Sequence, residues 1–299
     1  MRHITTTLIG ILITILISTT TWAESIDAAQ IEQEIENLII NTDADVNIGI
    51  QIVDLDNGQI LYQRNPQRTF IPASTLKLLT SAAALIYFGP DYQFTTPLLA
   101  NNKRIKNGKL SSDVYLQLSG DPSLNQDELR QLFSTLKTAN DIDTIQGDFV
   151  IDTTIFNGDD PHGPGWMVED THHAYGAGLS PIILDKNHIR LTIQPNTGHN
   201  QPAIVHIVSP TNGSIQLNNE ATTAPKKTAC KIKVRMHMDN TVKVSGCIPK
   251  NRNKITRTIA IKDPLAYSKN IIAHLLQEQA IELTGEIKTG SVPEKAIQL

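Results

Sequence analysis

The feature that most constrains this chain is the apolar run over residues 78–85, entered through Phe70-Ile71-Pro72-Ala73-Ser74-Thr75-Leu76-Lys77. The run is made of strong helix formers and is apolar on nearly every side. A helix of that kind is normally a buried one, so the pattern predicts a helix at a domain centre. Pro72 precedes the helix formers, which puts the helix start near Ala73. Ser74 then lies in the first turn, and Lys77, three residues on, projects from the same face. A serine hydroxyl needs a base within hydrogen-bond reach to become a nucleophile. A lysine can serve when burial and nearby cations hold it neutral. Free N–H groups and the positive dipole end at the helix start suit a developing oxyanion.

The tetrapeptide alone is a weak signal. Ser134-Thr135-Leu136-Lys137 repeats the same four residues. That copy closes an amphipathic surface-helix pattern over residues 127–133 and reads as structural. Only the first copy opens an all-round apolar helix.

A length of 299 residues allows two or three domains, and a hydrophobic share of 40% predicts a globular fold. The formal net charge of −4 argues against nucleic acid as a partner. Met1-Arg2-His3, an apolar core over residues 8–17 and Thr21-Trp22-Ala23 before Glu24 form a secretory leader pattern, too short to span a membrane. The expectation is a signal peptide over residues 1–23 and an exported mature chain. An uncleaved anchor is the alternative. Cys230 and Cys247 flank two alternating segments joined through Asp239-Asn240, a hairpin signature. An oxidising compartment would let these two cysteines pair, with free buried thiols as the other reading.

Residues 26–40 read as an amphipathic helix, and residues 46–53 and 59–64 as two strands around the Asp56-Asn57-Gly58 turn. Gly89-Pro90-Asp91 ends the apolar helix. From Tyr92 to about Arg257 the chain is mainly short strands, with one clear helix near residues 126–138. Helical character returns at Asp263-Pro264. A helix, a hairpin and a further helix followed by a β-rich stretch is an α+β arrangement. The expected layout is residues 24–91 with 257–299 as one domain, interrupted by an inserted β-rich region over residues 92–256.

Several ordered segments then carry a family resemblance. They are residues 50–54 and 71–85, Leu118-Ser119-Gly120-Asp121-Pro122-Ser123-Leu124, residues 145–152, Tyr175-Gly176-Ala177 through Leu184-Asp185-Lys186-Asn187, Ser245-Gly246-Cys247, and Asp263-Pro264. The chain resembles the low-molecular-mass class C penicillin-binding proteins, periplasmic serine D-alanyl-D-alanine carboxypeptidases and endopeptidases. Ser74-Thr75-Leu76-Lys77 matches their S-x-x-K motif. The resemblance implies a transpeptidase/β-lactamase-like α+β domain interrupted by a large β-rich insertion. It implies Ser74 as the acylated nucleophile and Lys77 as its base. It also implies peptidoglycan stem peptides as substrate, β-lactams as acylating inhibitors, a periplasmic location, and no metal or cofactor. In the family an acidic residue, and an aromatic one five positions later, reach from the insertion towards the substrate's diamino acid. Asp170 and Tyr175 match that spacing, with an ordinary loop carboxylate and a half-buried tyrosine as the alternative.

The family's site also needs an S-x-N loop and a K-T-G strand. Ser268-Lys269-Asn270 and Lys288-Thr289-Gly290 have the right letters. Asp263-Pro264 is an N-cap followed by N1 proline, however, and places Ser268 inside a helix. The expectation is therefore that both are decoys and that residues 1–299 match only the front part of such an enzyme. A chain of that extent would have little peptidase turnover and would expose an apolar edge. Three readings follow: an impaired serine carboxypeptidase/endopeptidase, a non-catalytic module that binds peptidoglycan or a partner, and a compact hydrolase completed by Ser268, Asn270 and Lys288.

Overall fold

The computed structural model describes residues 28–42, 45–155, 162, 165–210 and 214–299. The leader pattern over residues 1–23 lies outside the described residues. The chain divides into two compact units, Met1–Asp91 and Tyr92–Leu299. Helices and sheets are mixed in an α+β fold.

In the first unit, helix α1 (Ala28–Thr42) precedes an antiparallel hairpin of strands Ile50–Val53 and Ile60–Arg64. The hairpin turns where Asp54 accepts hydrogen bonds from the Asp56 N–H at 2.9 Å and the Asn57 amide at 2.8 Å. The α1 helix is tied to the second strand through Glu36. Its carboxylate accepts a 2.6 Å hydrogen bond from the Tyr62 hydroxyl and pairs with Arg64. Those two contacts, Tyr62 first, hold the Glu36 carboxyl below its usual range. A short 3-10 turn, Ala73–Thr75, then leads into α2 (Leu76–Phe88). Gly89 stops α2 at φ +80°, a backbone conformation costly for residues with a Cβ.

The expected burial of this apolar helix is not met. No residue of α2 is buried, and Leu78, Leu79, Ile86 and Tyr87 are 68–85% exposed. The reason is one of surface area. Among the described residues, one hairpin and one amphipathic helix make up the rest of this unit, and the hairpin has a partner on neither outer edge. All-round apolarity states what a helix needs, not what the chain supplies.

The second unit is built on a five-stranded sheet. Its strand order is Ile287–Gly290, Phe149–Asp152, Val114–Gln117, Leu98–Ala100, Ile297–Gln298. The first three run parallel, and Leu98–Ala100 lies antiparallel to both of its neighbours. Helix α3 (Gln126–Thr138) packs Leu129, Phe133 and Leu136 into the core, where the Phe133 and Phe149 rings lie 5.4 Å apart. Its start is fixed by a capping box. Asn125 accepts from the Asp127 and Glu128 N–H groups, and Glu128 accepts from the Asn125 N–H. Helix α4 (Pro264–Glu278) begins at the Asp263 N-cap, which accepts from the Ala266 N–H at 2.9 Å. It buries Tyr267, Ile271, Ile272, Leu275 and Leu276 in the same core.

Residues 257–299, grouped in the sequence reading with 24–91, make their contacts in this second unit instead. Strand Ile255–Ala260 pairs with His188–Gln194. After α4, strands Glu282–Leu283 and Ile287–Gly290 add in parallel to Thr144–Ile145 and Phe149–Asp152. Parallel pairing needs a long crossover, and the chain between Asp152 and Glu282, which ends in α4, supplies it. The apolar face of α4 announced a core without saying which one.

Strands Ile232–Met236 and Val242–Pro249 form the expected antiparallel hairpin, with Ile232 opposite Gly246. The Cys230–Cys247 disulfide closes its open end, with Cα atoms 5.3 Å apart and a sequence separation of 17. Closing a loop of this length stabilises by about 3 kcal/mol on the chain-entropy model. Replacing both cysteines by serine is therefore expected to lower the Tm by roughly 6–12 °C for a unit of this size, as read by calorimetry.

Candidate active site

Ser74 and Lys77 meet on the first turn of the α2 segment. The Lys77 ammonium donates to the Ser74 hydroxyl oxygen at 3.0 Å. The local chain explains the approach. Gly49 leaves room for the Phe70 ring, since a Cβ at that glycine would lie 2.5 Å from Cε2. Phe70 is thereby seated before the turn. The Thr75 N–H and hydroxyl both donate to the Pro72 carbonyl, closing the 3-10 turn. Ala73 sits at φ +43°, a left-handed backbone unusual for alanine, directly before the serine. Ser74 and Lys77 are both exposed, so the dry surroundings expected for a lysine base are not supplied by the described residues.

The second copy of the motif is engaged elsewhere. In α3 the Ser134 hydroxyl donates to the Gln131 carbonyl at 2.7 Å. Lys137 lies 3.1 Å from the Asp143 carboxylate and donates to the Ala280 carbonyl at 3.0 Å. The serine and lysine of the other two letter-matches lie in the second unit. Ser268 is buried within α4, and its hydroxyl has no partner among the described residues. Lys288 forms an ion pair with Asp148, and the two shift each other's pKa towards the charged forms.

Asp170 and Tyr175 meet in the second unit. Each lies in a 3-10 turn, Asp170–His172 and Ala174–Gly176. The Tyr175 hydroxyl donates to Asp170 Oδ1 at 2.7 Å, and this bond raises the phenol's pKa. The Tyr175 ring is 67% exposed and stacks on His173 with centroids 5.2 Å apart. An anchor that sequence reasoning missed is Lys262. Its ammonium donates to the Thr171 carbonyl at 3.0 Å and to the Thr171 hydroxyl at 3.1 Å, and burial lowers its pKa. Only its place before Asp263-Pro264 could have drawn attention to it. His172 is held below its usual pKa by desolvation, then by the Lys262 and Arg235 cations. Asp185, within a segment that carried the resemblance, joins the two helices of this unit. It accepts hydrogen bonds of 2.6 Å from both the Gln126 amide and the Tyr267 hydroxyl. Burial comes first, and this carboxylate second, in pushing the Tyr267 pKa far up.

Residues 31–299 match the model of the D-Ala-D-Ala carboxypeptidase 3 (S13) family. The chain belongs to that family. It is 29% identical over 251 residues to the D-alanyl-D-alanine carboxypeptidase DacB of Haemophilus influenzae, which covers 83% of this chain and 51% of that protein. It is 28% identical over 256 residues to the D-alanyl-D-alanine carboxypeptidase of Actinomadura sp. strain R39, covering 82% and 46%. The crystal structure of penicillin-binding protein 4 (dacB) from H. influenzae superposes with a TM-score of 0.73 at 26% identity, over 88% of this chain and 58% of that one. The same protein complexed with a β-lactam gives 0.64 at 25% identity, over 84% and 53%. The chain thus spans about half the length of the curated relatives it matches.

Proposed function

We propose that this chain carries the nucleophile of a serine-type D-alanyl-D-alanine carboxypeptidase/endopeptidase acting on peptidoglycan stem peptides. The observation that carries the reading is the 3.0 Å bond between Lys77 Nζ and Ser74 Oγ in a member of the S13 family. In the proposed step Ser74 Oγ adds to the carbonyl carbon of the penultimate D-alanine while the neutral Lys77 amine takes the hydroxyl proton. The tetrahedral intermediate collapses, and the terminal D-alanine leaves as an amine after receiving a proton. Water then cleaves the acyl-Ser74 ester. β-Lactams would acylate the same oxygen, consistent with the β-lactam complex of the H. influenzae relative.

Asp170 and Tyr175 are the proposed contacts for the substrate's diamino acid. Their support is chemical: a half-buried carboxylate beside an exposed ring suits an ammonium and its aliphatic stem. Export to the periplasm is part of the reading, supported by the leader pattern and by the Cys230–Cys247 disulfide.

Residues 1–299 alone are proposed to turn over slowly. Ser74 and Lys77 face water, where electrostatic stabilisation is weak, while Ser268 is buried within α4 and Lys288 is paired with Asp148. Loss of one oxyanion-hole donor alone costs about 2.7–4 kcal/mol in a well-studied protease. The test is acylation by a labelled penicillin, read by intact mass. One slowly formed adduct per chain is expected. No adduct on a folded sample would count against the nucleophile and favour a non-catalytic peptidoglycan-binding module.

A further inference from the structure

The chain as a whole is acidic, yet between Pro225 and Lys254 it holds nine Lys and Arg and a single carboxylate, Asp239. The fold gathers these charges instead of dispersing them. Lys231, Lys233 and Arg235 alternate along strand Ile232–Met236 and its entry, and all three are exposed. Residues two apart on a strand share one face, so they form a stripe about 13 Å long. At the disulfide end of the hairpin an open polar cleft of about 520 Å³ is lined by Lys227, Arg252 and Lys254 with Asn251 and Asn253. No carboxylate lines it. Among the described residues none of these six cations forms an ion pair.

This clustering works against folding. Arg235 stands directly opposite Lys243 in the strand register, a like-charge pair that destabilises a hairpin. Only Lys243 is compensated, by Glu220 at 2.8 Å. Residues 225–254 also contain no Phe, Trp or Tyr. Single-stranded nucleic acid is held by stacking on aromatic rings, so recognition of that kind has no platform here. What remains is charge spread over a strand face and its adjoining cleft, which suits a broad anionic surface better than a discrete ligand.

We infer that this face of the hairpin docks on an anionic phospholipid bilayer, with the Lys227–Arg252–Lys254 cleft receiving headgroup phosphate. The contact is peripheral and electrostatic, made by the unpaired cations of the hairpin and cleft. It rests on different residues from the proposed active site and stands or falls independently of it.

Each cation near an anionic leaflet strengthens partitioning by about fivefold. The test is co-sedimentation of the full chain with phosphatidylcholine vesicles, with and without 30% phosphatidylglycerol, at low salt. The triple variant Lys227→Glu/Arg252→Glu/Lys254→Glu is expected to bind at least ~100-fold more weakly than wild type. The control Lys103→Glu/Lys106→Glu/Lys109→Glu makes the same charge change at exposed positions elsewhere in the unit and is expected to stay within about twofold. Equal binding of the two triple variants overturns the inference. So does wild-type binding that ignores phosphatidylglycerol, or binding to soluble polyphosphate without binding to vesicles. Should the cleft variant fail to fold, the wild type decides the matter by salt. A screened electrostatic contact releases when salt is raised, and retention at high salt overturns it.

Discussion

Intact-mass measurement of the Ser74→Ala chain after exposure to penicillin is expected to show no adduct, while Ser134→Ala labels like wild type. The two serines sit in identical tetrapeptides, so sequence around the hydroxyl cannot produce the difference. Their hydrogen bonds can. Ser74 Oγ has an amine 3.0 Å away that is able to accept its proton once neutral. Ser134 Oγ donates along its own helix to the Gln131 carbonyl, and Lys137 is drawn to Asp143 and the Ala280 carbonyl. Removing a nucleophilic serine costs about 10⁶ in turnover in a well-studied protease, which for covalent capture is complete loss. Exposed substitutions of this kind change stability by only about 0.5 kcal/mol, so loss of labelling would not reflect unfolding. An adduct that persists on Ser74→Ala would remove that residue from the proposed chemistry. Peptide mapping would then name the oxygen that takes its place.

The elements that sequence reading finds here are those with a strong local cause. The α3 helix follows from its 3.6-residue apolar period and the Asn125–Glu128 capping box. The α4 helix follows from Asp263 and Pro264 at its start, and the 232–249 hairpin from alternation around Asp239-Asn240. The hydrogen bond between Ser74 and Lys77 follows from three-residue spacing on a helical turn. Partners distant in sequence were not legible. Strands Glu282–Leu283 and Ile287–Gly290 are short, and their parallel pairing with residues some 140 positions earlier leaves no local trace. For the same reason the pairing of residues 257–299 with strands of the second unit left no mark in the sequence. Lys262 holds Thr171 across 91 residues, again with no motif to mark it. The positive φ of Ala73 was hidden because alanine, unlike glycine, carries no signal of that backbone conformation. The exposure of α2 is a different kind of miss. Its apolarity was read correctly as a demand for burial, but whether that demand is met depends on surface contributed by other elements.

Replacing Lys77 by alanine is expected to slow penicillin acylation by about 10²–10⁴-fold, the range that positioned general bases contribute. The time course of adduct formation at fixed penicillin concentration measures it. Lys77→Arg is expected to lose as much, because a guanidinium keeps its proton and cannot accept another. That comparison separates base from positioning residue: an arginine still offers donors to Ser74 Oγ, so rescue by arginine would mean that Lys77 merely orients the hydroxyl. Lys77 is exposed, and the Tm should move little in either variant. A wild-type rate in Lys77→Ala would mean that water or another group takes the Ser74 proton. In that case the 3.0 Å bond is a contact of the turn, and the nucleophile must be activated by a base outside it.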